Sequence, residues 1–99
     1  MPFIYELKVA GDLQSAGNEP QFTFVQQLAP AGSLVDAGQA VATLTDGTME
    51  YHLPAPRQGL LVAWYATHGT AVQAGDVLAR VVCEGQAVEV EDAVPTRLG

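Results

Sequence analysis

One pattern is written twice in this chain. Gly32, Val35, Ala37, Gly38 and Ala42 return as Gly69, Val72, Ala74, Gly75 and Ala79, each pair 37 positions apart. Both copies end in a mostly apolar run, Gln39-Ala40-Val41-Ala42-Thr43-Leu44 in the first and Asp76-Val77-Leu78-Ala79-Arg80-Val81 in the second. Gly38 and Gly75 each end a tight turn at a backbone angle that a Cβ would oppose, and the run that follows returns as a strand. Two such halves can pack face to face about an approximate two-fold axis, because neither buries its apolar face alone. Two copies are too few for a solenoid, which needs more repeats to close its core.

The rest of the chain agrees with an all-β reading. Ile4 to Val9 alternates apolar and polar positions over part of its length, and Phe22 to Leu28 is a second strand candidate. Gly11 through Pro20 is rich in Gly, Ser, Asn and Pro and reads as a loop. Beyond it, short apolar runs are cut by Gly and Pro about every ten residues, the rhythm of a sandwich or barrel. No stretch carries a helical period.

Composition narrows the function classes. At 99 residues the chain fits one domain of modest core, and 48% hydrophobic residues are too many for a disordered tail. Eleven acids against four bases give a net charge of −7. Nucleic acid and anionic membranes would repel such a surface, whereas a basic surface on a protein partner would attract it. No apolar run approaches the length of a membrane span, and no charged-then-apolar leader stands at Met1, so a soluble cytoplasmic protein is expected. Cys83, the single cysteine, lies in Val81-Val82-Cys83 and reads as a buried thiol.

Between the two copies lie Thr45-Asp46-Gly47-Thr48-Met49 and Pro54-Ala55-Pro56-Arg57-Gln58-Gly59. The ordered set Gly32-Ser33-Leu34-Val35-Asp36-Ala37-Gly38, Ala55-Pro56-Arg57-Gln58-Gly59 and Gly69-Thr70-Ala71-Val72-Gln73-Ala74-Gly75 resembles the biotinyl/lipoyl-attachment domain. The likeness covers about Phe22 to Val82. It implies a flattened barrel of two four-stranded sheets, with a central hairpin that presents a lysine carrying the prosthetic group. In that family the lysine typically lies eight residues before the proline of Ala-Pro. Counting back from Pro56 gives Thr48, or Gly47 if the turn slips by one residue. Neither has an amine that could form the amide bond to biotin or lipoate. Thr45-Asp46 and Pro54-Ala55-Pro56 resemble the lipoyl branch, and Met49 resembles the residue after biotinyl-lysine, so the branch stays open. Lys8, the only lysine, falls in a strand candidate outside the family core and reads as a solvated strand residue.

Other constellations carry no chemistry of their own. Strand alternation puts Glu50 and His52 on one face, which could tune a proton-transfer group but reads far more readily as an exposed polar pair. His68 precedes Gly69 and reads as a turn residue. Neither histidine has ligands at zinc spacing. Ser15 and Ser33 lack the setting of an exposed nucleophile, and Ser33 is the repeat counterpart of Thr70. No phosphate-binding glycine motif occurs. Glu89-Val90-Glu91-Asp92 reads as a solvated terminus. In Trp64-Tyr65, one ring is expected in the core and the other outside, where it could anchor a partner.

The expectation is therefore an all-β flattened barrel with an internal two-fold repeat, residues 22–82. It carries an N-terminal extension, residues 1–21, and a C-terminal extension, residues 83–99, with Ile4 to Val9 and Ala87 to Val90 as candidate extra edge strands. No catalytic residue, metal or cofactor is assigned. The resemblance with its missing lysine implies a non-enzymatic docking or assembly module with a protein partner, related to carboxylase or 2-oxo acid dehydrogenase carriers. The alternatives are an acyl or carboxyl carrier using a non-standard attachment, and an adaptor module of the membrane-fusion type.

Overall fold

The computed structural model describes residues 1–10 and 22–98. The loop expected over Gly11 to Pro20 lies outside them, as do Ser15 and Gly17. Nine strands are described: β1 (Phe3–Lys8), β2 (Phe22–Gln27), β3 (Leu34–Val35), β4 (Ala40–Thr45), β5 (Glu50–Pro54), β6 (Gly59–Trp64), β7 (Ala71–Val72), β8 (Val77–Cys83) and β9 (Thr96–Arg97). They form two antiparallel sheets. One has four strands in the order β1-β8-β6-β3, and the other has five in the order β7-β2-β4-β5-β9. The all-β flattened sandwich expected from the repeat is the observed architecture.

The repeat is a structural two-fold. Moving 37 positions carries β2 onto β6, β3 onto β7 and the start of β4 onto that of β8. Hydrogen bonds obey the same operation. Gly32 N donates to Leu61 O at 2.7 Å and Gly69 N donates to Phe24 O at 2.8 Å. Leu61 N donates to Ser33 O at 2.9 Å and Phe24 N donates to Thr70 O at 2.8 Å. Bulges fall at Phe24/Gln26 on β2 and at the equivalent Leu61/Ala63 on β6. In each turn the fourth residue after Val bonds back to the first. Gln39 N donates to Asp36 O and Asp76 N to Gln73 O, both at 3.0 Å. The side chains of Gln39 and Asp76 answer by accepting from Asp36 N at 3.0 Å and Gln73 N at 2.9 Å.

The operation leaves β5 without a counterpart 37 residues on, where Ala87 to Val90 would lie. That segment forms no strand. Its place beside β8 is taken by β1: Tyr5 pairs with Val81 and Leu7 with Ala79, as Tyr51 pairs with Leu44 and Leu53 with Ala42 on the other half. The expected strand at Ala87 to Val90 is thus corrected. β1 already occupies the edge of β8, and a hollow lined by Ile4, Glu6 and Lys8 on one side and Val88, Val90 and Asp92 on the other separates the segment from β1. Only Ala93 reaches the edge, donating to Lys8 O at 2.8 Å and accepting from Ala10 N at 2.7 Å. The extra strand from this end of the chain is β9, which pairs with β5 through Tyr51–Arg97 and His52–Thr96 and gives the second sheet its fifth strand.

The core lies between the sheets and is filled by two-fold mates. Leu7 corresponds to Leu53, Phe24 to Leu61, Leu44 to Val81 and Val35 to Val72, all 2% exposed or less. Burying such a side chain contributes about 1.5–3 kcal/mol. Trp64 is the half-buried ring of its pair. It meets Phe24 edge-on at 5.6 Å and its Nε1–H donates to Ala29 O at 2.8 Å. Tyr65 points outward, with the Arg80 guanidinium 6.0 Å over its ring. Gly59 sits where two strands touch: a Cβ there would lie 2.6 Å from Val82 O and 2.7 Å from Val81 Cγ1.

Candidate functional site

The site to which the sequence points is the β4–β5 hairpin tip. Thr45 and Glu50 are the last paired residues, and 46–49 form the loop. Asp-Gly is a strong turn former, because Asp bonds the backbone beyond it and Gly accepts a positive φ. Here Gly47 has φ 99°. Asp46 Oδ1 accepts from both Thr48 N and Met49 N at 2.8 Å. Thr45 completes the loop: its hydroxyl donates to Met49 O at 2.8 Å and accepts from Gly47 N at 3.1 Å. The other Asp46 oxygen, Oδ2, accepts from the Tyr51 hydroxyl at 2.9 Å. Tyr51 in turn stands edge-on to Phe22 at 5.2 Å, which ties the loop to the body of the sheet.

These bonds set the electrostatics of the tip. The Met49 and Thr48 amides, then the Tyr51 hydroxyl, hold the Asp46 carboxyl below its usual range. The same bond from Asp46 raises Tyr51. The loop is a closed, acidic turn. Thr48 is exposed beside it and has a negative φ, so it can carry any side chain without backbone strain. Gly47 is exposed too, but a side chain there would be strained.

The remaining candidate residues are dispersed. Lys8, half-buried, pairs with Val77 at the start of β8, as Pro54 pairs with Ala40 at the start of β4. It therefore occupies the base of its half, the end opposite a hairpin tip. His52 lies in the middle of β5 between Thr43 and Thr96, and Glu50 lies at that strand's start. His68 is in the turn after β6, its Nδ1 2.6 Å from Val25 O. Cys83 is buried, its Sγ donates to Gln58 O at 3.2 Å, and burial raises its pKa. Ser33 bonds Pro30 O, and Thr70 stands in the same role opposite Thr67, its Oγ1 accepting from Thr67 N at 3.2 Å. Among the described residues, no three of His, Cys, Asp and Glu stand together as a metal site. Glu89, Glu91 and Asp92 are exposed.

Sequence reasoning located the tip but missed the Asp46–Tyr51 bond that fastens it. The signal was available in the Asp-Gly dipeptide and in an aromatic residue five positions on. It also missed Tyr5, the two-fold mate of Tyr51. The Tyr5 hydroxyl donates to Arg57 O at 2.8 Å, and its pKa is pushed up to about 12, chiefly by burial.

The family model described as biotin-requiring enzyme matches residues 14–81. The chain belongs to this biotinyl/lipoyl family and is a carrier-type domain by its fold and its paired halves. No curated protein matches the chain. Among the described residues no helix is long and apolar enough to cross a membrane.

Proposed function

We propose that this chain is a non-enzymatic member of its family that carries no prosthetic group and acts as a protein-docking or assembly module. The partner class is a component related to carboxylase or 2-oxo acid dehydrogenase systems. One observation carries the reading: the tip positions where the family holds its modified lysine are Gly47 and Thr48, and the only lysine, Lys8, stands at the far end of a strand. Attachment of biotin or lipoate needs a primary amine on a long exposed stem. A threonine hydroxyl at pH 7 is a poor substitute nucleophile, and the neighbouring carboxylate, Asp46, accepts from the Thr48 and Met49 amides and the Tyr51 hydroxyl rather than from the Thr48 hydroxyl. The shape of the carrier domain is retained, with a well-bonded turn and a net charge of −7 suited to a basic partner surface.

The test is intact mass after incubation with a biotin ligase and, separately, a lipoate ligase, each with its substrates. The expected result is no change. A mass gain mapped to Lys8 would replace the docking reading with a carrier.

A further inference from the structure

The two-fold provides an internal comparison. On the outer face of the four-stranded sheet, Ile4, Val82, Leu60 and Leu34 are partners in register, one from each strand. Their inward neighbours Tyr5, Val81, Leu61 and Val35 fill the core, so this row points outward. Leu34 is 78% exposed, Ile4 57% and Leu60 37%. Val62, on the same face of β6, is exposed as well. The equivalent row on the other sheet is Glu50, Thr45, Thr23 and Ala71, also partners in register. The same backbone positions are polar or small on one half and apolar on the other. Folding imposes the same demands on both rows, so it does not explain the difference.

The surroundings say what covers the row. Leu34, Leu60 and Val82 line a hollow of about 390 Å³ that Asp36 and Glu84 border. Glu6 flanks Ile4 on the same face of β1. Two cations share this face: Arg80, the register partner of Glu6, lies over Tyr65, and Lys8 stands at the far end of β1. Arg57 borders the neighbouring hollow but shares it with Glu84 and Glu91. The border of the hollow itself is therefore acidic, beside an apolar strip, and the cations lie away from it.

A second copy fits this face badly. Four strands span about 14 Å, so a strip one row deep covers on the order of 100 Å², far less than the roughly 800 Å² each partner buries in a stable complex. The area outside the strip would bring together the acidic rims of two chains of net charge −7. Resting on the docking reading above, we infer that the outer face of the four-stranded sheet is the docking surface. Its occupant is a protein segment that presents apolar side chains flanked by lysine or arginine. The apolar side chains enter the hollow between Leu34 and Leu60, and the basic ones meet Asp36, Glu84 and Glu6.

The experiment titrates the full chain with a synthetic peptide of two leucines flanked by lysines, followed by amide chemical shifts. The comparison peptide has glutamate in place of lysine. Shifts are expected at Leu34, Leu60, Val62 and Val82 with the lysine peptide alone, shrinking as salt rises. Leu34→Glu, at a site too exposed to threaten folding, and Leu60→Glu are each expected to weaken binding about tenfold or more. Ala71→Glu and Thr23→Glu, which add the same charge at the two-fold positions, are expected to change it less than about twofold. Equal binding of both peptides, shifts centred on Thr23 and Thr45, or no shifts would overturn the inference. So would sedimentation as a dimer that Leu34→Glu dissociates, since the occupant would then be a second copy. Intact mass of the same samples after ligase treatment separates the two claims. A silent mass without peptide binding rejects this surface alone, and a mass gain rejects the docking reading.

Discussion

Gly38 and Gly75 do the same work in the two halves, at φ 84° and 88°. No atom lies within 4 Å of a Cβ built on either, so their restriction is conformational rather than steric crowding. A β-branched residue is strongly opposed at such angles. Gly38→Val and Gly75→Val are each expected to destabilise by more than about 1 kcal/mol, and by similar amounts, in urea unfolding. Thr48→Val, at an exposed position of negative φ, is expected to stay within about 0.5 kcal/mol. Free tolerance of valine at one of the two glycines would break their equivalence. Gly59 is restricted differently: Gly59→Ala forces a Cβ against the Val82 carbonyl and should cost about 1–3 kcal/mol by the same measurement. The sequence pattern marked all three glycines. It did not distinguish the two causes, because the contact with Val82 depends on how β6 lies against β8.

The β4–β5 hairpin depends on one carboxylate. Asp46 is held below its usual range in the folded chain. A carboxyl whose folded pKa is depressed contributes stability above its unfolded pKa, and that contribution is lost as pH falls through the folded value. Tyr51 is shifted the other way, so its contribution is present below the unfolded tyrosine pKa and lost as pH rises through the folded one. The loop is thus tightest in the broad range between them. Amide exchange at Thr48 and Met49, after correction for intrinsic pH dependence, is expected to lose protection as acid protonates Asp46. Asp46→Asn should lack that transition, and an unchanged profile in it would place the cause elsewhere. Elements were legible in the sequence where two signals coincided. The apolar runs of the repeat located β4 and β8, alternation located β1, and the run Phe22 to Leu28 located β2; the two-residue strands β3 and β7 lie inside the glycine pattern and carry no separate signal. The stretch at Ala87 to Val90 has strand-like alternation, but the place beside β8 that it would take is filled by β1. The two residues of β9 carry no pattern of their own and are placed by pairing with β5. The row from Ile4 to Leu34 was invisible beforehand, because register across four strands brings together residues far apart in the chain.

At the scale of the whole molecule, β1 substitutes for a hairpin strand that the second half does not make. The mates Leu7 and Leu53 therefore hold equivalent places, 1% and 0% exposed. Leu7→Ala and Leu53→Ala are expected to cost similar amounts, about 2–5 kcal/mol each, in thermal or urea unfolding. A small cost at Leu7 alone would make β1 an appendage rather than part of the barrel. On the reading proposed above, the molecule is a carrier-type frame whose hairpin tip is well bonded and holds no lysine. Restoring one tests this most directly. Intact mass of Thr48→Lys and Gly47→Lys is measured after treatment with each ligase. Thr48 has an unstrained backbone, and Gly47 does not, so Thr48→Lys is expected to gain the mass of biotin or lipoate in at least one arm while the unaltered chain gains none. Modification of the unaltered chain, or of Gly47→Lys but not Thr48→Lys, would contradict the account.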